Sequence, residues 1–352
     1  MANIILMILV LLLLIGGVGY SSLSHLPSSI APTPQSVKHI TSKPTITATV
    51  SKNSSPLTIE NMRNKSYPGS VITIEQTLSA GINYSRYIVA YQSEGLKIYG
   101  LLTVPIGSKP TGGWPVILFN HGYILPASYS TANSYAIMID PLASAGYIVF
   151  APDYRGNGGS DGTPLQPYIS PVYITDSMNA LASIKKYKDA NSQKIGVFGH
   201  SMGGNITLHE LVMTHDFKAA ELMAGVVGNE AGLAQWWDQR FAAHSIVGND
   251  LDTYHAFEKM IEAHGAPSTD PNYWNAIDPT QFLSFINAPV QIQVGSADTE
   301  VPIDFSASLK ESLQKAGKNV DYNIYPGADH NLAPDTTSAM ATTVAFFNKY
   351  LK

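Results

Sequence analysis

The strongest constraint on this chain is a five-residue pattern, Gly-His-Ser-Met-Gly at 199–203, which fits G-x-S-x-G. The apolar run 195–198 before it indicates a buried strand, and the apolar residues after it have helical spacing. A sharp turn between a strand and a helix holds a serine in a strained backbone conformation and exposes its hydroxyl. Gly199 and Gly203 would leave room where this turn passes close to neighbouring elements. We therefore predict that Ser201 is a nucleophile.

Composition excludes several classes of function. The chain has 352 residues and a net charge of −5, so nothing suggests a basic surface for nucleic acid. It contains no cysteine, which excludes a disulfide framework, a thiolate metal site and a cysteine nucleophile. We expect no metal, no organic cofactor and no nucleic-acid partner.

The N-terminal region reads differently from the rest of the chain. Residues 4–18 are almost wholly apolar, a length between that of a signal peptide's core and a minimal membrane span. Residues 1–20 are predicted to be an uncleaved transmembrane anchor, with a cleaved signal as the alternative. Either interpretation places the catalytic domain outside the cytoplasm, and the first makes the membrane a partner. Residues 21–56 are rich in Ser, Thr and Pro and are predicted to be a linker.

The remaining residues, 57–352, are predicted to form one α/β domain. Two runs, 84–92 and 96–104, flank a Ser-Glu-Gly turn and indicate an antiparallel hairpin. Strands then alternate with helices, which predicts a mostly parallel twisted sheet covered by helices on both faces. The further strand runs are 114–120, 146–151, 195–198, 219–227, 290–294 and 320–325.

Residues 228–285 interrupt this alternation and are predicted to form a helical cap above the catalytic edge of the sheet. The alternative is an ordinary set of peripheral helices. Trp236, Trp237 and Trp274 lie in this segment and are candidate substrate-binding residues.

A serine hydroxyl needs a positioned base, which should follow a later strand. His330 comes soon after the strand 320–325, and Asp298 follows the strand 290–294. A carboxylate there would accept a hydrogen bond from the histidine and fix its tautomer. Asp329 is a poorer candidate because a sequence neighbour is badly placed to hold the ring. The predicted triad is Ser201, Asp298 and His330.

The loop after the strand 114–120 is the candidate for the second half of an oxyanion hole. It reads His-Gly-Tyr, and the backbone N–H of Tyr123 is predicted to act with that of Met202. Arg155, in a later glycine-rich loop, is expected to pair with a buried acid such as Asp153.

These motifs together resemble the catalytic domain of the prolyl-oligopeptidase family of α/β hydrolases, over roughly residues 84–352. The residues that carry the resemblance are His121-Gly122, 153–156 with 159–162, 199–204, 295–298 with 301–302, and 327–330. Family members with peptidase activity carry a β-propeller before this domain, and we expect none here because too few residues precede the core. The same domain without a propeller is similar to dienelactone-hydrolase-like, acetyl-xylan and feruloyl esterases.

The resemblance and the predicted triad favour a serine hydrolase acting on carboxylic esters through an acyl-enzyme. One alternative is a peptidase acting on short peptides. A second is a non-catalytic surface binding protein of the same fold. The expected substrate is a small ester or a short peptide.

Overall fold

The computed structural model describes residues 55–165, 167–243 and 249–352. Within these residues nine strands form one sheet, in the order β1-β2-β3-β5-β4-β6-β7-β8-β9. The strands are β1 (Thr73–Leu78), β2 (Tyr84–Ser93), β3 (Leu96–Pro105), β4 (Trp114–Asn120), β5 (Ile148–Pro152), β6 (Ala190–His200), β7 (Phe217–Met223), β8 (Val290–Gly295) and β9 (Val320–Tyr325).

The sheet changes from antiparallel to parallel pairing at β5. Strands β1, β2 and β3 pair antiparallel, and β3 pairs antiparallel with β5. All pairs from β5 through β9 are parallel. The β2–β3 hairpin turns through Glu94 (φ 51°) and Gly95 (φ 81°), two left-handed residues whose twist suits a two-residue turn. The predicted fold class, a mostly parallel sheet with antiparallel N-terminal strands, is confirmed.

Helices cover both faces of this sheet. Side chains alternate across β4, so that Val116 and Leu118 belong to one buried cluster while Ile117 and Phe119 belong to the other. The first cluster includes residues of α3 and α4, and the second includes residues of α2 and α9. The helices are α1 (Ile59–Asn64), α2 (Ala136–Ser144), α3 (Val172–Ile184), α4 (Met202–Met213), α5 (Glu230–Ala242), α6 (Asn249–His264), α7 (Pro271–Ile277), α8 (Ile303–Lys315) and α9 (Thr336–Leu351).

Parallel pairing brings four strand ends to one edge of the sheet. Strand β4 ends at Asn120, β6 at His200, β8 at Gly295 and β9 at Tyr325. Because these strands run in the same direction, the loops that follow them emerge side by side. This edge therefore collects each of the segments in which the sequence predicted catalytic groups.

The insertion between β7 and β8 is helical. Helices α5, α6 and α7 lie there, followed by a 3-10 helix, Pro279–Phe285. These elements fall within the predicted cap, residues 228–285. Residues 244–248 of it lie outside the described part of the chain.

The prediction of a transmembrane helix has to be corrected. Among residues 55–165, 167–243 and 249–352, none of the helices combines the length and the apolar character needed to cross a membrane. The segment that suggested an anchor, residues 1–20, and nearly all of the linker, 21–56, lie outside the described residues. We therefore no longer predict the membrane as a partner. The location of the catalytic domain outside the cytoplasm stays a prediction.

Candidate active site

Ser201 occupies the turn between β6 and α4 in a strained conformation. Its backbone has φ 54° and ψ −121°, a combination that residues with a side chain rarely adopt. The turn is held on both sides, because the Ser201 N–H donates to the Met223 carbonyl at 3.1 Å and the Val226 N–H donates to the Ser201 carbonyl at 3.0 Å. A side chain at Gly203 would collide with the Asn120 backbone. The sequence therefore has glycine where α4 begins directly against the end of β4.

His330 and Asp298 form a hydrogen-bonded pair at the same edge. The His330 Nδ1 lies 2.8 Å from the Asp298 Oδ2, and both side chains are almost fully buried. The other carboxylate oxygen, Oδ1, accepts the backbone N–H groups of Glu300 at 2.8 Å and Val301 at 3.0 Å. Burial acts to raise the pKa of Asp298, but the hydrogen bond and charge of His330 and the two backbone N–H groups outweigh it and lower that pKa. Asp298 is therefore a carboxylate that orients His330 and leaves Nε2 for other partners.

The loop after β4 lies directly against the serine. A Cβ placed on Gly122 would come within 2.9 Å of the Ser201 Cβ, so only glycine fits there without displacement. The Gly122 N–H donates to the hydroxyl of Tyr135 at 2.8 Å. Tyr123, the next residue, lines the same cavity as Ser201 and Met202. Met202 is the first residue of α4, and N–H groups in a first helical turn lack intrahelical acceptors.

Two further histidines beside the serine are neutral. Burial lowers the pKa of His121 to about 4, and its ring nitrogens face the carbonyl oxygens of Gly122 (2.7 Å) and Asp153 (3.2 Å). Burial and the neighbouring His330 lower the pKa of His200 to about 3. Neither ring therefore carries a charge at neutral pH.

A buried polar cluster lies beneath the loop. The Asn120 Nδ2 donates to Glu210 Oε2 at 2.7 Å and to Thr207 Oγ1 at 2.9 Å. The Asn120 Oδ1 accepts hydroxyl groups from Ser177 at 2.6 Å and Tyr154 at 3.2 Å. Burial raises the pKa of Glu210 to about 7, against the opposing hydrogen bonds of Ser177 and Asn120. The last residue of β4 is thereby tied to α3 and α4.

Ser201 and His330 open into one cavity of about 450 Å³. Trp236 and Trp237, on α5, line it, as the sequence suggested for a substrate pocket. Trp274 does not: its side chain is only 2% exposed, and its indole N–H donates to the Gly265 carbonyl at 2.9 Å. Trp274 is not among the residues that line the cavity with Ser201 and His330.

Arg155 also has a partner other than the one suggested. Its Nε and Nη2 atoms bind the two carboxylate oxygens of Asp176 at 2.9 and 2.7 Å, and Nη2 also binds Glu94 at 2.9 Å. Asp153 instead accepts hydroxyl groups from Tyr129 and Thr131. The bidentate pair fastens the glycine-rich loop to α3, which is a structural role.

Comparison with known proteins places this site in a family. The model of the prolyl oligopeptidase family matches residues 133–352, more than half of the chain, including Ser201, Asp298 and His330. The chain belongs to the prolyl oligopeptidase family. It is a serine hydrolase of that family, and the predicted resemblance is confirmed.

Relatives of this chain differ in length. The chain is 26% identical over 248 residues to the uncharacterized peptidase YtmA of Bacillus subtilis, covering 70% of this chain and 87% of that protein. It is also 26% identical to the uncharacterized peptidase YuxL of the same organism, but covers only 32% of it.

Solved structures share the fold of this family member. An acetyl xylan esterase from Paenibacillus sp. R4 matches with a TM-score of 0.61 at 19% identity, over 83% of this chain and 92% of that chain. An acylaminoacyl peptidase from Pyrococcus horikoshii matches with a TM-score of 0.59 at 21% identity, over 77% of this chain and 42% of that chain.

Two residues of the site escaped the sequence reasoning. Tyr135 reaches the Gly122 N–H from the start of α2, thirteen positions away, and no local pattern marks such a contact. Glu300 lines the cavity beside His330. A signal for Glu300 did exist, since it lies two residues after the predicted Asp298 in the same loop.

Proposed function

We propose that this member of the prolyl oligopeptidase family hydrolyses carboxylic esters through an acyl-enzyme. In this mechanism the Ser201 hydroxyl attacks the ester carbonyl carbon while the His330 Nε2 takes its proton. The tetrahedral oxyanion is stabilised by the backbone N–H groups of Tyr123 and Met202. The positive N-terminal end of α4 adds to that stabilisation.

The tetrahedral intermediate then breaks down to an acyl-enzyme, which water hydrolyses. The protonated His330 gives its proton to the departing alkoxide, the carbon–oxygen bond of the ester breaks, and the acyl group remains on Ser201. Water then attacks the acyl carbon as His330 takes one of its protons. The same proton returns to the Ser201 oxygen, which releases the carboxylic acid. Asp298 stays ionised throughout and stabilises the imidazolium.

The observation that carries the proposal is the hydrogen bond between His330 Nδ1 and Asp298 Oδ2, 2.8 Å long, beside a serine held at φ 54°. Strain of this kind persists only where surrounding structure maintains it, and it clusters at functional sites. A buried carboxylate fixed by two backbone N–H groups is suited to orient a general base.

Two observations support esters over peptides. The match to the acetyl xylan esterase covers 92% of that chain, whereas the match to the acylaminoacyl peptidase covers 42% of that one. The cavity of about 450 Å³, in which aromatic and aliphatic residues are the majority, has room for a small organic ester. The second candidate, a peptidase for short peptides, is supported by the names of the relatives, which include peptidases.

A variant pair tests the mechanism. Ser201→Ala is expected to abolish hydrolysis of short p-nitrophenyl esters, whereas Ser308→Ala, an exposed serine of α8, keeps wild-type activity. A fluorophosphonate probe should label the wild type and the Ser308 variant but not Ser201→Ala. Ester hydrolysis that survives in Ser201→Ala contradicts the mechanism, and absence of labelling in the wild type favours the non-catalytic alternative.

A substrate panel separates the two enzyme classes. Acyl esters and aminoacyl arylamides with matched acyl groups are compared by kcat/KM. Higher values for the arylamides, after correction for the intrinsic reactivity of each bond, would replace the ester assignment by the peptidase one.

A further inference from the structure

Glu300 lies beside both Asp298 and His330. Its backbone N–H binds Asp298 Oδ1 at 2.8 Å, which fixes the loop between β8 and α8. Its side chain is 65% exposed, and its Oε2 lies 3.9 Å from the His330 Nε2. A carboxylate therefore lies in the cavity beside the nitrogen that serves the reacting bond.

The walls around this carboxylate are rich in aromatic rings. The faces of such rings attract cations. The aromatic residues of the cavity are Tyr123, Tyr135, Tyr168, Trp236 and Trp237.

Arg240 supplies a positive charge to the same cavity, but it is directed at the loop backbone. Its guanidinium lies over the ring of Trp236, 5.2 Å from the centroid, and its Nη1 lies 3.5 Å from the Glu300 carbonyl oxygen. The Glu300 carboxylate faces His330 instead. The Arg240 guanidinium and the Glu300 carboxylate thus contact different groups.

We propose that Glu300, with the aromatic wall, binds a cationic group of the substrate close to the scissile carbonyl. A quaternary ammonium or a protonated amine has the required chemistry, on either the acyl or the alcohol side of the bond. This inference rests on the proposed ester hydrolysis, because it names the substrate class of the same site. An exposed ion pair contributes modestly, so the expected preference due to the carboxylate is about 1.5- to 5-fold in kcat/KM.

Pairs of esters that differ only in charge give a direct test. A trimethylammonium group and a tert-butyl group have nearly the same shape, and the first keeps its charge at every pH. Acetylcholine is compared with 3,3-dimethylbutyl acetate for the alcohol side. The benzyl ester of betaine is compared with benzyl 3,3-dimethylbutanoate for the acyl side. The ratio of kcat/KM within each pair removes effects common to both substrates.

Glu300→Gln is the test variant and Glu311→Gln the matched control, since Glu311 is exposed on α8 and its loss changes the net charge equally. We expect the cationic-to-neutral ratio to fall about 1.5- to 5-fold in Glu300→Gln for at least one pair, and to stay at the wild-type value in Glu311→Gln. An unchanged ratio in both pairs overturns the proposal. An equal fall for both members of a pair also overturns it, because Glu300 would then act through His330.

A binding measurement separates this proposal from ester hydrolysis itself. Choline and 3,3-dimethylbutan-1-ol are titrated into the protein while tryptophan fluorescence is followed. Tighter binding of choline that Glu300→Gln removes supports the cation site even if none of the four esters is hydrolysed, in which case only the proposed function fails. Hydrolysis of the esters, with equal binding of choline and the alcohol by wild type and variant, leaves the function standing and overturns the cation site.

Discussion

The hydroxyl of Tyr135 accepts the backbone N–H of Gly122 at 2.8 Å and lies 3.0 Å from the Nδ1 of His200. Tyr135 itself has a left-handed backbone, φ 64°, where α2 begins. The side chain thus connects α2, the loop after β4 and the turn that carries Ser201. It occupies the N–H of Gly122, while the following residue, Tyr123, lines the cavity.

Removal of this hydroxyl should weaken catalysis more than substrate binding. Tyr135→Phe leaves the Gly122 N–H without its acceptor, which costs about 1–3 kcal/mol for a buried group. We expect kcat to fall about 5- to 50-fold with KM changed less than twofold, since the role we propose for the loop is to stabilise the oxyanion rather than the bound ester. Tyr147→Phe is the control, because Tyr147 donates its hydroxyl to Asn348 at 2.8 Å beneath α9. A fall of the same size in both variants would show general destabilisation instead.

The carboxylate of Asp298 should be essential although it does not touch the substrate. Asp298→Asn preserves the shape, but the amide can accept from the Glu300 and Val301 N–H groups and point its NH₂ at His330 Nδ1. That arrangement stabilises the tautomer whose Nε2 carries the hydrogen. We expect kcat to fall about 10³- to 10⁴-fold at neutral pH with little change in melting temperature. Activity within tenfold of the wild type would contradict the role of Asp298 in orienting His330.

Glu210 should make stability depend on pH. Burial raises its pKa to about 7, so it stays protonated in the folded protein at a pH where the unfolded chain has already ionised. The stability that comes from keeping Glu210 protonated is fully present below the ordinary pKa of a carboxyl group. It is lost as the pH rises to about 7. The free energy of unfolding is measured with urea at pH 5 and at pH 7.5. Between these two pH values it should decline by about 2–3 kcal/mol less in Glu210→Gln than in the wild type.

The exposed Glu262 of α6 provides the comparison for that measurement. Glu262→Gln should keep the wild-type decline between the two pH values. A Glu210→Gln variant with the same decline as the wild type would show that Glu210 ionises normally in the folded protein.

Trp236 should limit the length of the acyl group. Its ring lines the cavity with Ser201, so Trp236→Ala enlarges the pocket beside the nucleophile. The ratio of kcat/KM for octanoate over acetate p-nitrophenyl esters is expected to rise by about tenfold or more. Trp274→Phe should leave the ratio unchanged, because Trp274 is buried away from the cavity. An unchanged ratio in Trp236→Ala would remove α5 from the acyl pocket.

The parts of the fold that depend on local periodicity could be predicted. The apolar run 114–120 coincides with β4, since a strand buried on both faces is mostly apolar. The strand predicted at 290–294 falls within β8 (Val290–Gly295), although Gln291 and Gln293 are polar residues buried in it. The parallel order then brings the ends of β6, β8 and β9 to one edge, where the sequence had placed Ser201, Asp298 and His330. The identification of these three side chains as a triad remains a prediction that the proposed variants test.

Contacts between distant segments could not be predicted in the same way. Trp236 and Trp274 both lie in the insertion, and only the packing of α5 and α7 decides that one faces the cavity while the other is buried. Arg155 pairs with Asp176 rather than Asp153, because the loop folds back onto α3. Glu210 looks like an ordinary polar residue of α4 until Asn120 is placed beside it. Each of these contacts depends on how distant segments pack together, and no periodic pattern in the sequence indicates it.

The placement of α5 has an evolutionary consequence. The helix supplies Trp236, Trp237 and Arg240 to the cavity, yet it lies between β7 and β8, outside the strands whose ends carry Ser201, Asp298 and His330. Mutations, insertions or exchanges in this segment can reshape one wall of the pocket while the reacting groups keep their support. We therefore expect relatives that differ in substrate preference to differ most in this helical segment.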